Sequence, residues 1–327
     1  MAFCDLPLDQ LRDYRPVVRR PDDLQDFWSR TLAEADAHPL DVQLEPVETG
    51  FVLVDTYDVT FSGFGGDRIR GWLKLPHGSA EGSLPGVVQY IGYNGGRGLA
   101  SEPSAWAQAG FAHLIMDTRG QGSGWSAGDT PDVLHGAADP AHAGFMTRGI
   151  RDRDAYFYRR LFTDAVRAVA ALRTVPQVDA SAVFVMGGSQ GGGMALAVAS
   201  LVDGLRGVMA DVPFLCHFER AITITDSDPF AEVARYLAVH RDSVETVLGT
   251  LSNFDVVNLV ASAAAPALFS VALMDEIVPP STVFAAYNAY AGSDKDVLVY
   301  PFNGHEGGGA LQEQRKLRWA LDRVAGR

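Results

Sequence analysis

Hydrophobic positions are spaced differently in the two parts of this chain. Between Pro21 and Ala37, Leu24, Phe27, Trp28 and Leu32 share one face at helical spacing, and Asp22 stands at a possible N-cap position. That stretch predicts an amphipathic helix. The strand-like runs "FVLVDTYDVTF" and "IRGWLKL" flank the turn "SGFGGD", which predicts an antiparallel hairpin. From Leu84 the pattern changes to strand followed by helix. "GVVQYI", "FAHLIMD", "AVFVM", "GVMADV", "PALFSVAL" and "DVLVYPF" are short apolar runs suited to buried strands. "EPSAWAQA", "TDAVRAVAALR" and "MALAVASLV" lie among them and read as helices. Alternation of this kind implies an α/β fold with a mainly parallel central sheet and helices on both faces.

Two stretches interrupt the rhythm. Residues 117–150 form a long connection rich in Gly, Asp and Pro, and connections of that length usually carry function or contacts. Residues 213–262 place mostly helical sequence between two strands, as a cap over a site would. With no repeats, low-complexity tract or linker, residues 1–327 are expected to form one domain with 213–262 as an embedded helical cap.

Composition narrows the function classes. With 47% hydrophobic and 20% charged residues, the chain can bury a sizeable core. Its net charge of −13 disfavours nucleic acid or an anionic membrane as a partner. The longest apolar candidate for a membrane span, "LVASAAAPALFSVAL", is interrupted by serines and Pro266. The two cysteines, Cys4 and Cys216, make no disulfide framework, and the N-terminal "MAFCDLPLDQLRDYRP" has charges where a leader needs an apolar core. A cytoplasmic protein is expected.

Candidate chemistry begins at "VFVMGGSQGGGMALAV", where Ser189 falls between a strand and a helix among clustered glycines. Gly187-Gly188-Ser189-Gln190-Gly191 fits the G-x-S-x-G nucleophile elbow in its strand–turn–helix setting. A plain glycine-rich loop is the alternative. A phosphate loop is disfavoured because no Lys-Ser/Thr pair follows the glycines, and the dinucleotide spacing fails as well.

A serine nucleophile needs a base, and the base needs an acid to orient it. Of eight histidines, only His217, His240 and His305 follow Ser189, and the first two lie inside the helical insertion. His305 follows the strand "DVLVYPF", and sites in open α/β sheets collect at strand C-terminal ends. The acid should end the preceding strand, where "PALFSVALMDEIVPP" offers Asp275 and Glu276. Asp275 leaves the strand first and is preferred, with Glu276 facing solvent. As a general base, His305 has to be unprotonated, so activity should fall on acidification.

An oxyanion needs donors as well. The Gln190 backbone N–H follows the nucleophile at a helix N-terminus, and a second N–H is expected from Tyr93 in "GYNGGRG". The "HEGGG" stretch lacks the second histidine of a metalloprotease helix, since Gly309 stands there, so neither metal nor other cofactor is expected.

"RGQGSG" (119–124), "GGSQGG" (187–192) and His305-Glu306, with "QYIGYNGGRG", "GFMTRGI", "DVPFLCHFERA" and "PPSTVFAAYN", resemble the acetyl xylan esterase/cephalosporin C deacetylase family of carbohydrate esterases. The likeness covers nearly the whole chain and is nearest to thermophilic-bacterial members. It implies an α/β-hydrolase that removes acetyl groups from short xylo-oligosaccharides and cephalosporin C, without a cofactor and in the cytoplasm. It places the triad on Ser189, Asp275 and His305, and the oxyanion hole on Tyr93 and Gln190. It also implies a homo-hexamer with active sites facing an internal cavity, favouring small acetylated substrates over polymeric xylan.

By the same resemblance, Trp125, Phe214, Pro229 and Ile277 are candidate walls of a small acyl pocket. Arg119 and Gln121 either contact substrate or, the preferred reading, brace the long loop beneath the site, with Glu306 a further structural support. Two rival functions remain on this fold. One is a dienelactone-type hydrolase or peptidase, and the other a non-catalytic binding protein, since fold alone does not set function.

Overall fold

In the computed structural model, which describes residues 3–133, 135–136 and 139–326, the alternating runs form a hairpin. An edge strand, β1 (Gln43–Val47), pairs antiparallel with β2 (Val54–Ser62), which pairs antiparallel with β3 (Arg68–Pro76). The turn between β2 and β3 is glycine-rich, with Gly65 and Gly66 both at positive φ. Valine and phenylalanine at Val59 and Phe61 point into the core, as two-residue periodicity requires.

The rest of the sheet is parallel. Strands β4 (Leu84–Tyr90), β5 (Ala112–Met116), β6 (Val178–Gly188), β7 (Gly207–Asp211), β8 (Ala267–Ala272) and β9 (Lys295–Tyr300) complete a nine-stranded sheet in the order β1-β2-β3-β5-β4-β6-β7-β8-β9. Only the β3–β5 junction joins the antiparallel and parallel parts. The strands β4 to β8 are buried on both faces, which explains their unbroken apolar runs. One face carries the larger core, covered by helices Phe157–Arg173 and Gln190–Leu201. The other carries a smaller core around Trp106, Phe111, Phe184 and Met186, covered by helices Ala105–Gln108 and Gly309–Val324. This is the architecture of an α/β-hydrolase.

Several boundaries differ from the sequence pattern, each for a local reason. The first long helix spans Leu24–Asp36 and starts after Asp23, not Asp22; the Asp23 carboxylate binds Arg153 (2.8 and 2.6 Å) instead of capping the helix. Leu32 on that helix is only half-buried. The run "EPSAWAQA" yields a helix over only Ala105–Gln108, begun by Ser104 accepting the Ala107 N–H. The helix expected from "TDAVRAVAALR" starts earlier, at Phe157, because Arg159 and Arg160 find carboxylates elsewhere and can be buried. A short helix, Leu8–Arg12, and strand β1 carried no pattern strong enough to mark them.

The described residues of the long connection over 117–150 are irregular backbone pinned by buried charge. Asp117 accepts the N–H groups of Arg97, Asp129 and Thr130 at 3.0, 2.6 and 2.8 Å. Arg119, wholly buried, forks onto both oxygens of Asp164 (2.5 and 2.8 Å) and onto Asp67 (2.9 Å). Three nearby carboxylates hold its guanidinium firmly charged. Arg160 clamps Asp132 of the same connection through two bonds, at 3.0 and 2.9 Å.

The insertion over 213–262 holds four α-helices: Phe218–Ile224, Phe230–Val239, Val244–Leu251 and Val256–Leu259. Its ends are tied by buried Asp255, whose carboxylate accepts the N–H groups of His217, Phe218 and Val257 at 2.9, 3.0 and 3.0 Å. The last of these helices packs against Gln190–Leu201, so that part of the insertion belongs to the body of the domain. Among the described residues no helix is long and apolar enough to cross a membrane.

Candidate active site

Ser189 occupies the turn from β6 into helix Gln190–Leu201, with φ 55° and ψ −120°. A non-glycine residue in that region is strained, and the surroundings hold it there. Its N–H donates to the Asp211 carbonyl (2.9 Å), and its own carbonyl accepts the Phe214 N–H (2.9 Å) and the Gly193 N–H (3.0 Å). The neighbouring glycines serve close approach: a Cβ on Gly191 would lie 2.1 Å from the Tyr90 carbonyl oxygen, and one on Gly193 would lie 2.2 Å from that of Phe214. With its backbone fixed from both sides, Ser189 presents its side chain to a cavity above the sheet's C-terminal edge. The hydroxyl has no hydrogen-bond partner among the described residues.

His305 follows β9 and borders the same cavity. Its Nδ1 lies 2.9 Å from Oδ2 of Asp275, which follows β8 and is wholly buried. Oδ1 of Asp275 accepts the N–H groups of Ile277 and Val278, both at 2.9 Å, so the carboxylate is held in one orientation. Glu276 is exposed. Glu306 turns back on its own loop, accepting from Asn303 Nδ2 (2.6 Å) and the Gly304 N–H (3.0 Å), and the Asn303 bond holds its carboxyl below the usual range. With Nδ1 engaged, the Nε2 of His305 is the ring nitrogen left for chemistry in the cavity.

The cavity measures about 620 Å³, with Trp125, Pro229 and Ile277 among its walls. Trp125 is also a strut, its indole N–H donating to the Tyr93 carbonyl at 2.8 Å. Phe214 is not a wall. It is wholly buried behind the site, its ring 4.3 Å from that of Phe230 and 6.4 Å from that of Tyr93, because the Phe214 backbone is consumed in holding the serine turn. Asp211, Asp228 and Glu306 also border the space, and Lys316 there is paired with Asp211 (2.6 Å) and Glu313 (2.7 Å). That surplus of carboxylates suits a neutral or cationic ligand better than a polyanion.

Two backbone N–H groups have no partners among the described residues: that of Gln190, the residue after Ser189, and that of Tyr93, which lines the same cavity. Gln190 is wholly buried at the first turn of its helix, where partial positive charge accumulates. Its side chain pairs with Gln121 through both amides (3.0 and 3.2 Å), accepts from Tyr158 Oη (3.0 Å) and donates to the Ile91 carbonyl (3.2 Å). Gln121 Oε1 also accepts the Asn94 N–H at 2.8 Å. Gln121 thus braces both candidate donor segments from behind, while Arg119 braces the loop that carries Gln121. Neither borders the cavity. No group of His, Cys, Asp and Glu suited to a metal ion occurs among the described residues.

The sequence reading passed over Glu232, a carboxylate on helix Phe230–Val239 that meets the Tyr93 phenol at 2.7 Å. No motif marks it, since a glutamate in the first turn of a helix is ordinary.

Comparison with known proteins bears on what this arrangement does. The model of the acetyl xylan esterase family, AXE1, matches residues 1–323. An acetyl xylan esterase from Paenibacillus sp. R4 superposes with a TM-score of 0.91 at 38% identity, covering 97% of this chain and 99% of the other. Acetyl xylan esterase 1 from Thermoanaerobacterium sp. JW/SL YS485 gives 0.90 at 32% identity, covering 98% and 99%. An acetyl esterase of Xylanibacter ruminicola is 26% identical over 297 residues, 89% of this chain; the match spans 65% of that relative's length.

Proposed function

The chain belongs to the acetyl xylan esterase family, and from that premise we propose that it is a serine esterase removing acetyl groups from small acetylated substrates. Acetylated xylo-oligosaccharides and cephalosporin C are the proposed substrate classes. The observation that carries the reading is convergence: Ser189, the Asp275–His305 pair and Tyr93 meet at one cavity from four strand ends, beside Gln190, whose N–H has no partner among the described residues.

The reaction is a two-step acyl transfer. Ser189 Oγ attacks the acetyl carbonyl while His305 Nε2 takes its proton. Asp275 holds the ring in the tautomer that leaves Nε2 able to accept. The carbonyl oxygen gathers negative charge and is met by the N–H groups of Tyr93 and Gln190, which are fixed before substrate arrives. His305 then protonates the departing alcohol, leaving acetyl on Ser189. Water, deprotonated by the same ring, attacks the acetyl carbonyl, and the C–Oγ bond breaks as His305 returns the proton to Ser189 and acetate leaves. The steps need the Ser189 hydroxyl and His305 Nε2 to come within hydrogen-bond reach, which free enzymes commonly achieve only with substrate bound.

Chain-length preference tests the reading. With Trp125, Pro229 and Ile277, which line the cavity, taken as the walls of its acyl end, kcat/KM for p-nitrophenyl butyrate should fall at least about tenfold below that for the acetate. Equal rates would remove acetyl specificity, and faster cleavage of peptide anilides would favour the peptidase rival.

We also propose the hexamer. Phe51, Val52 and Leu53, consecutive in the chain, are 41%, 81% and 79% exposed, a run of apolar surface that contact between chains would cover. Light scattering in solution should give six chains per particle, and the mass of a single chain would overturn the assembly. The two free thiols, Cys4 and Cys216, favour a reducing, cytoplasmic setting, which cell fractionation reads directly.

A further inference from the structure

The Tyr93 side chain leaves its loop in a direction of its own. Its phenol donates to Glu232, 2.7 Å from Oε1 and 2.9 Å from Oε2, and accepts the Phe145 N–H at 2.5 Å. Glu232 Oε2 also accepts the Met146 N–H at 3.1 Å. Three segments far apart in sequence therefore meet behind the cavity: the Tyr93 loop, the long connection and the inserted helix Phe230–Val239.

Glu232 is an expensive residue to keep there. It is only 4% exposed, and no Lys, Arg or His forms an ion pair with it among the described residues. Burial pushes its carboxyl above the usual range. A buried carboxylate without a cation costs stability unless its hydrogen bonds are complete. The backbone is shaped around it as well: Gly144 has φ 117°, and a Cβ there would lie 2.2 Å from Oε2. An apolar side chain would avoid burying a charge, except that the phenol and the Met146 N–H would then lose their partner.

We propose that Glu232 is a positioning residue for ester hydrolysis, fixing the Tyr93 phenol so that the Tyr93 backbone N–H stays aimed at the developing oxyanion. The inference rests on the esterase reading above, since it concerns one donor of that site. Tyr93 is held at both ends of its residue: Trp125 takes its carbonyl and Glu232 takes its side chain. A misdirected donor weakens the transition state while leaving ground-state binding of a small ester unchanged, so kcat falls and KM stays.

The experiment is a double-mutant cycle on p-nitrophenyl acetate with Tyr93→Phe, Glu232→Ala, the pair combined, and Glu232→Gln. Tyr93→Phe and Glu232→Ala should each lower kcat by about tenfold to a hundredfold with KM within about twofold. The combined variant should be no worse than about threefold below the weaker single one, because both act through one contact. Glu232→Gln should recover most of the activity, since its amide oxygen can take the Oε2 position and accept from both the phenol and Met146. Independent losses that multiply, a Glu232→Gln variant as slow as Glu232→Ala, or an unchanged kcat in Tyr93→Phe would each overturn the proposal. Should Glu232→Ala fail to fold, Tyr93→Phe, which removes a single oxygen, still decides. Wild-type protein that is not labelled by a fluorophosphonate would instead sink the esterase reading, a failure visible before any variant is made.

Discussion

Replacing Ser189 with alanine should lower turnover of p-nitrophenyl acetate by on the order of 10⁶-fold. The size follows from what the hydroxyl does. In the proposed mechanism, without it no acyl-enzyme forms, and the two-step path through a covalent intermediate closes, leaving only water attack assisted by the proposed oxyanion donors and by His305. The substitution is mild structurally. The Ser189 hydroxyl has no hydrogen-bond partner among the described residues, and the turn is held by the backbone bonds to Asp211, Phe214 and Gly193, which alanine keeps. Alanine meets the same φ of 55°, so the strain is similar in both proteins. Thermal unfolding should therefore change little while activity collapses. Stoichiometric fluorophosphonate labelling of the wild type, absent in the variant, checks the assignment independently. Appreciable esterase activity in Ser189→Ala would mean another nucleophile.

Asp275→Asn should cost about 10⁴-fold in kcat without unfolding the protein. The local hydrogen bonds give the reason. Oδ1 of Asp275 accepts from Ile277 and Val278, so an asparagine placed here keeps its oxygen on that side and turns its NH₂ toward His305. The NH₂ donates, forcing Nδ1 to accept and putting the ring proton on Nε2. That is the wrong tautomer, because Nε2 can no longer take the serine proton. In the proposed mechanism the carboxylate also steadies the imidazolium that forms during reaction, which a neutral amide cannot do. Steady-state kinetics on the purified variant reads the effect, and a loss smaller than tenfold would show that Asp275 does not orient the base.

These expectations rest on residues that could be read from the linear order. Each of Ser189, Asp275 and His305 follows its own apolar strand, and in a parallel sheet every strand delivers its C-terminal residue to the same edge. Order along the chain therefore translated directly into proximity. Gln190 and Tyr93 were singled out as candidate donors for the same reason, one following Ser189 at the end of β6 and the other the short turn after β4. The hairpin, the main strands and the serine helix were likewise carried by periodicity and glycine placement.

What periodicity could not show was anything resting on a partner distant in sequence. Helix Phe157–Arg173 begins earlier than its pattern suggested because Asp132 and Glu34 neutralise Arg160 and Arg159, which lie ahead of the apolar run. Phe214 looked like a pocket wall and lies behind the site, because the serine turn uses its backbone. Arg119 meets Asp164 and Asp67 across 45 and 52 residues, and Tyr93 meets Glu232 across 139. By itself the sequence determined the succession of elements and the candidate reactive groups, since both depend on local spacing and on a sheet geometry common to every parallel fold. Only the tertiary structure decided which buried charges and phenols hold those groups in place, because a side chain's partner is chosen by the packing of segments that the linear order leaves far apart.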